Sequence, residues 1–579
     1  MFEKYVYPKK AKVITTLSVK MLSTFMGILI PAILAKIIDD VVPSGNRKMI
    51  ILLGGLMLLV SFLEWWLGIK SNRMAAKVSS EAIQEIRQDL FSRSIGLSAR
   101  QIDKIGISSL ESRLTSDTYT IHNFLGTGLR MGSRSILLFI GGIFFCVVLS
   151  PRLSIIILLL IFPIFFTIRF IYNRTQPMWK NLQKKTDNMV QVIRESIRGI
   201  KVSKALNKVD DEKDKFYNAN DAVRNQSIEA VDMMALTSPL VNVLLYVGLA
   251  FVIIYGGKLV GAGTLEVGTI IAFMSYFLQI TNSLFMMNWM FNLYSRAMTS
   301  VKRIEEVIFM PIDENQIVED PISLPKANKD VPEIEFKNVS FAYEDTDYNL
   351  KNISFKIYPG DTFAIMGATG SGKSTIIKLI LRQYDINEGQ ILIRGIDIKR
   401  IKHNELNALF GSVFQRDFLF KGSIKENIDF GRKLDEDVLY NATINAQAYE
   451  FINSKDDKIE YPLSSKGVNL SGGQKQRILL SRAFADNPEV LILDDSSSAL
   501  DFATESKLRN ALDSNFREST TIIIAQRISS VLSAKNIIFL ENGEIDAMGN
   551  HEYMLEHSKA YREIAEMQLG NSTEEVLYE

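Results

Sequence analysis

The chain of 579 residues carries 66 basic and 65 acidic side chains, a formal charge of +1, so no overall field selects nucleic acid or an acidic partner. That length exceeds one compact core, and apolar stretches fill the first half while mixed charge fills the second, so two large domains are expected. The only cysteine, Cys146, excludes an intrachain disulfide and a thiolate metal centre, and the four histidines (His122, His403, His551, His557) lack ligand spacing and read as solvated surface.

The residues from Met1 to Lys10 offer no small-residue cleavage site before a short apolar core, so no removable signal peptide is expected and the first apolar segment serves as an uncleaved anchor. A membrane span needs about 20 mostly apolar residues. Six stretches meet this, near 14–38, 49–69, 128–150, 153–172, 233–257 and 267–295. The last two are free of charge between Asp232 and Lys258 and between Glu266 and Arg296, which a water-soluble helix of that length rarely tolerates. Lys20, Lys36, Glu64, Arg134 and Arg169 interrupt the other four, and their charged ends must snorkel or face a watery cavity. Glu64, the one carboxylate well inside a span, reads either as a functional acid or as a near-interface side chain.

Lys9, Lys10 and Lys12 precede the first span, and basic stretches at 70–120 and 172–230 follow the second and fourth, so these segments and both termini are expected on the cytoplasmic side of the plasma membrane. The two long connections carry apolar residues at helical spacing, such as Ile83, Ile86, Leu90 and Phe91. They predict helical extensions reaching roughly 35 to 40 Å beyond the bilayer. The sixth span offers Phe277, Gln279, Asn282, Phe285, Met286, Met287, Asn288, Trp289 and Met290, a mixture suited to amphipathic cargo or, equally, to helix packing. Residues 1–315 are read as the transmembrane domain, 316–332 as a polar, proline-containing linker, and 333–579 as a soluble domain that opens on the alternating segment Glu333 to Phe341. Only the tail from Gly570 is expected to fray.

In the soluble part, Gly367-Ala368-Thr369-Gly370-Ser371-Gly372-Lys373-Ser374-Thr375 lies between an apolar run, Thr362 to Met366, and a helical segment. That placement is what a phosphate-binding loop requires. Gly367, Gly370 and Gly372 let backbone amides curl around phosphate oxygens, Lys373 reaches the terminal phosphates, and Ser374 can bind Mg²⁺. Val490 to Asp494 is a buried strand ending in a carboxylate that either contacts Mg²⁺ or caps the following helix. Together with Leu470-Ser471-Gly472-Gly473-Gln474 downstream, these residues point to ATP.

With these motifs in hand the chain resembles, over essentially its full length, an ATP-binding cassette (ABC) exporter subunit. The fold implied is a helical transmembrane domain of six spans with long cytoplasmic extensions, fused to an α/β P-loop nucleotide-binding domain. By the same resemblance Tyr343 stacks on adenine, with strand-edge packing as its alternative. Gln415 links Mg²⁺ to the membrane domain and joins Ser374 and Asp494 as a metal-site residue, with a solvated loop position as its alternative. Leu470 to Gln474 is the signature that caps ATP held by the opposite subunit, and Ser498 to Asp501 is the loop crossing the dimer interface. The resemblance implies two ATP sandwiched head to tail between two subunits, alternating access in a lipid bilayer, and coupling regions near Gly106 to Asp117 and Leu206 to Phe216.

Two positions depart from the family pattern. Where family members place a glutamate after the Mg²⁺ aspartate this chain has Asp495, and where they place a switch histidine it has Gln526. Ser464 to Gly467 also lacks the glutamate common before the signature. Asp495 and Gln526 are thus catalytic positions in degenerate form, and the pattern fits one half of a heterodimer whose own site hydrolyses weakly. The expected activity is ATP-driven export of hydrophobic or amphipathic molecules. A homodimer with slow hydrolysis, and an ATP-gated channel or regulatory subunit, stand as alternatives, while a peptidase-linked peptide exporter and a nucleic-acid partner are not expected.

Overall fold

The computed structural model describes residues 1–313, 316–318, 320–343, 347–415 and 417–569; the tail from Gly570 lies outside them. The described chain forms two compact units, Met1–Ile95 with Ser108–Met310, and Gly96–Ile107 with Pro311 onward.

Six helices in the first unit are long and apolar enough to cross a membrane: Phe2–Val41, Arg47–Ile95, Ile107–Leu149, Pro151–Arg198, Val209–Gly261 and Val267–Ile308. They are far longer than a bilayer needs, which bears out the helical extensions expected from the spacing of Ile83, Ile86 and Leu90, all now buried. Their shared core is the sixth helix, whose Phe273, Tyr276, Phe277 and Ile280 pack with Ile28, Leu153, Leu245 and Val252. The Tyr276 hydroxyl satisfies itself inside this core by donating to the Ile28 carbonyl at 2.7 Å. At the start of the sixth helix, Asp39 accepts from the Thr269 amide at 2.8 Å and from the Gly268 amide. A carboxylate there satisfies orphan amides and complements the helix dipole. Gly268 is required for that approach, because a Cβ would sit 2.6 Å from the Ala35 carbonyl oxygen.

Three of the five charges that interrupt the spans, Lys20, Glu64 and Arg134, find side-chain partners among the described residues. Glu64 lies 3.2 Å from Arg134 and closes over Gly27, where a Cβ would come within 2.7 Å of its carboxylate. Lys20, 5% exposed, donates to Asn72 Oδ1 at 3.3 Å. Lys4, Lys9 and Lys12 pair with Asp89, Glu85 and Glu81 at successive turns of the second helix; being largely exposed, each pair contributes little.

Among the described residues, the second unit contains a four-stranded antiparallel sheet, a six-stranded mixed one and a short antiparallel pair, β7 (Gly422–Ser423) with β8 (Pro462–Leu463). The first runs β2 (Leu350–Ile357), β1 (Ile334–Phe341), β4 (Glu388–Ile393), β5 (Ile396–Asp397). The second runs β12 (Glu544–Gly549), β11 (Asn536–Glu541), β3 (Thr362–Gly367), β10 (Thr520–Ile524), β9 (Val490–Asp494), β6 (Phe410–Val413). Only β12 runs antiparallel in it. The central parallel strands β3 and β9 are nearly continuous apolar runs, as burial on both faces demands.

Gly96–Ile107, from the connection between the second and third spans, belongs to this second unit. Ser98 and Gln101 form a reciprocal cap on the helix Ala99–Ile105, and Gly106, at φ +81°, ends it. The Tyr384 hydroxyl donates to Asp103, and Ala99 packs against the core around β1 and β3. The part of this connection that belongs to the second unit, Gly96–Ile107, meets the 106–117 stretch expected from sequence at Gly106 and Ile107; residues from Ser108 belong to the membrane unit. The other expected tip is a turn after the helix Ile200–Ala205, with Ile200, Val202 and Leu206 exposed.

Arg394 and Glu333 are a buried pair at 2.9 Å, and Arg394 also bonds Glu489. Burial raises the Glu333 carboxyl above its ordinary range while Arg394 pulls it back. Removing one partner of such a pair leaves an uncompensated charge. Arg394→Ala should lower unfolding stability of the soluble unit by about 3 to 5 kcal/mol, read from denaturant titration, and Arg394→Met with Glu333→Leu should recover most of it.

Candidate functional site

The strand register assembles the site. Ile524 pairs with Ile365 on one side and with Asp494 on the other, and Leu493 pairs with Val413. All four strands are parallel, so their carboxyl ends emerge at one edge, where α/β sheets bind ligands. The loop Gly367–Thr375 leaves β3, Asp494 ends β9 and Asp495 follows it, Gln526 lies two residues past β10, and Gln415 two past β6.

The loop turns back because its glycines take left-handed backbone: Gly367, Gly370 and Gly372 have φ of +144°, +86° and +104°. A Cβ on Gly367 would meet the Leu540 carbonyl oxygen at 2.2 Å, so close packing as well as curvature fixes this residue. Lys373 opens the helix Lys373–Ile380, and its ammonium donates to the carbonyls of Gly367 and Ala368 at 2.8 and 2.7 Å. Ser374 donates to Asp494 Oδ2 at 3.2 Å. Ser371 Oγ is buried with no hydrogen-bond partner among the described residues, an orphaned hydroxyl inside a ring of amides, which fits a phosphate oxygen.

Asp494 is 6% exposed. Burial raises its carboxyl above the ordinary aspartate range and the Asp495 charge adds to this, while the Ser374 hydroxyl and Lys373 oppose it. Burial likewise lowers the Lys373 ammonium, against the pull of Asp494 and Asp495. Two close carboxylates beside one desolvated lysine favour a further cation, and Ser374 and Asp494 supply hard oxygen ligands suited to Mg²⁺.

Asp495 sits at φ +52°, its amide donating to the Ile524 carbonyl at 2.9 Å and its own carbonyl accepting from Ser498. Aspartate tolerates left-handed backbone better than most side chains. The exposed Gln526 is held through its main chain. Gln568, on the helix Lys559–Leu569, donates to the Gln526 carbonyl at 2.9 Å and accepts from the Ile528 amide at 2.8 Å.

Tyr343 stands beside the loop helix, its hydroxyl 3.3 Å from Thr375 Oγ1 and 3.2 Å from the Lys378 ammonium, and its ring edge-on to Phe341 and Tyr384. Leu470 to Gln474 falls in a different cluster. Ser471 caps the helix Gly472–Phe484, reciprocally with Gln474 at 3.3 and 3.1 Å, and Leu470 is buried in the core beneath. Gly473 lies against the Ser498–Asp501 loop, a Cβ there coming within 3.1 Å of the Ala499 carbonyl oxygen.

Glu505 was not singled out by sequence. Only 5% exposed, it accepts from Ser530 at 2.6 Å and faces Arg527 at 3.5 Å, and Ser530 lies 3.3 Å from Ser497. It thereby ties the segment after Gln526 to the segment after Asp495. Its one sequence signal is an acid in the first turn of the helix capped by Asp501.

Spans, phosphate loop and signature helix together define a membrane transporter subunit fused to an ATP-binding cassette. Residues 13–284 match the family model of the ABC transporter transmembrane region and residues 350–498 that of the ABC transporter. The chain is 33% identical over 549 residues to the ABC transporter ATP-binding protein YfiB of Bacillus subtilis, spanning 94% of each, and it belongs to the ABC transporter family. It is 29% identical over 98% of each chain to YgaD of the same organism, whose name proposes a multidrug export ATP-binding/permease protein. A solved bacterial Atm1-family ABC exporter with ATP bound shares the fold at a TM-score of 0.80 and 22% identity, covering 97% of this chain and 99% of that one. The chain is therefore a multi-pass membrane protein and part of an ATPase-coupled transporter, of a family that works as dimers.

Lys373→Ala removes the one ammonium that the loop directs at phosphate. ATP affinity should fall at least about tenfold, the value of one charge-assisted contact, in a fluorescent-ATP titration, with the unfolding midpoint unchanged.

Proposed function

We propose that this chain is the degenerate-site subunit of a heterodimeric exporter for hydrophobic or amphipathic molecules, with both termini and the nucleotide-binding domain cytoplasmic. The observation that carries the reading is the pairing of Asp495 with Gln526 at a strand edge whose phosphate loop is otherwise intact. Gly367–Thr375 and Tyr343 hold one ATP at the slow site, and transfer of the phosphoryl group to water at the partner's competent site resets the transporter. Lys373 neutralises the phosphates, and Ser374, Asp494 and Gln415 hold Mg²⁺.

What Asp495 and Gln526 do less well is position a water and a γ-phosphate. Asp495 is one methylene shorter than glutamate, which withdraws the carboxylate by roughly 1 Å, and an error of that size costs about a hundredfold. Gln526 can donate a hydrogen bond but cannot become a cation. The Ser471 cap and the Gly472 and Gly473 amides remain, so this chain's signature still serves the partner's site. Multidrug export, in the name of YgaD, supports amphipathic cargo. The retained carboxylate of Asp495 beside Lys373 favours one second reading, a homodimer that hydrolyses slowly.

Expressed without a partner, the chain should form no dimer with brisk ATPase activity; brisk turnover by identical copies would contradict the heterodimer. In the purified heterodimer, Asp495→Glu alone should leave turnover within about twofold, because Gln526 still lacks charge and glutamate is less at ease at φ +52°. Asp495→Glu with Gln526→His should raise it severalfold, measured as phosphate release.

A further inference from the structure

Within the membrane unit a cavity of about 740 Å³ lies between the fourth, fifth and sixth spans. Four aromatic rings line it, Tyr172, Trp179, Phe285 and Trp289. The amides of Asn288 and Asn292 add polar contacts, and the Tyr172 hydroxyl donates to Asn292 Oδ1 at 3.1 Å, joining the fourth and sixth helices across it. Its depth follows from helix rise. Counted from Pro151 and from Val267, the lining residues begin about 26 Å along their helices and end about 43 Å along them. For a hydrocarbon layer roughly 30 Å thick, the cavity starts near one edge of that layer and continues into the headgroup zone.

Charge is what distinguishes this cavity. Among the described residues that line it, Arg296 is the only ionised side chain and none is a carboxylate. Among the described residues Arg296 makes no ion pair and no hydrogen bond, unlike Arg134, which is held by Glu64. A basic residue at a span end ordinarily snorkels to water. Here the exposed guanidinium lines the same cavity as two indoles, and its planar fork of donors matches an anionic head.

We propose that this cavity receives an amphiphile with an anionic head, such as a phosphate, sulfonate or carboxylate on an apolar body of drug or single-chain-lipid size. This rests on the exporter reading and names its substrate class. The rings of Trp179, Trp289 and Phe285 take the apolar body, Arg296 pairs with the head through its two-pronged donor set, and Asn288 and Asn292 offer donors beside it. A cationic head would be repelled, and a neutral one would leave the guanidinium unpaired.

The test uses the chain's own tryptophans. It has four, and replacing Trp65 and Trp66 by Phe leaves Trp179 and Trp289, both in the cavity, as reporters. The assembled transporter in lipid nanodiscs is titrated with a dibrominated stearyl chain bearing a sulfonate, a trimethylammonium or a hydroxyl head, and bromine quenching of indole fluorescence is read. The sulfonate should half-saturate quenching at a concentration about tenfold below the alcohol, with the ammonium weakest. Arg296→Gln should erase the sulfonate's advantage while quenching by the alcohol stays as it was, and Arg296→Lys should keep part of it. Equal quenching by all three heads, preference for the ammonium, or a sulfonate preference that survives Arg296→Gln would overturn the proposal. The exporter reading is judged separately, by hydrolysis-dependent accumulation of any of the three probes in sealed vesicles. Charge-blind transport would sink this proposal alone, and anion-selective quenching without transport would sink the exporter reading alone.

Discussion

Parallel pairing of β3, β10 and β9 is the constraint on which the nucleotide site depends. Each strand is a short apolar run buried on both faces, so its register is set by packing and its polar residues can appear only where it ends. Gly367, Asp494 and the segment leading to Gln526 are therefore delivered to one edge. The cost of burying Asp494 next to Asp495 is offset by Ser374 and Lys373, and the same desolvation that strains these groups makes the pocket receptive to a bound cation and polyphosphate. Asp495 then takes a left-handed backbone that shorter acids tolerate.

Around that edge, the residues that could move in a cycle are tied to one another. Glu505 links the segment after β9 to the segment after β10 through Ser530 and Arg527, and Gln568 brackets the Gln526 main chain. The signature helix touches the same region from the other side, at Ala499. A displacement of the Ser498–Asp501 loop by a partner subunit would thus reach the segment after Gln526 through a short chain of side-chain contacts, whatever the rate of chemistry at Asp495.

Much of this was legible in the sequence, for local reasons. Six apolar stretches and the helical spacing of Ile83, Ile86 and Leu90 announced spans that continue past the membrane, and the glycines of Gly367–Thr375 sat between a strand and a helix as their chemistry demands. What stayed hidden was long-range: Glu64 against Arg134 and over Gly27, Asp39 capping the sixth helix, and Glu505 against Ser530. These pairs are remote in the chain and follow from packing. The Ala99–Ile105 helix also stayed hidden, since it is too short for periodicity to declare it and is recognised by its cap and by Tyr384 and Asp103. Of the nine residues noted in the sixth span, Phe277 proved to be core, Met290 packs near Gly132, and Phe285, Asn288 and Trp289 line the cavity.

The central claim is that the pocket built on Lys373, Asp494 and Asp495 holds ATP without cleaving it quickly, while the partner's pocket turns over. The most direct measurement is to let the purified assembly turn over with a radiolabelled photoreactive ATP, crosslink at intervals, separate the subunits and identify the nucleotide on each. The account predicts intact triphosphate on this chain while diphosphate accumulates on its partner. Equal and simultaneous appearance of diphosphate on both subunits would contradict it.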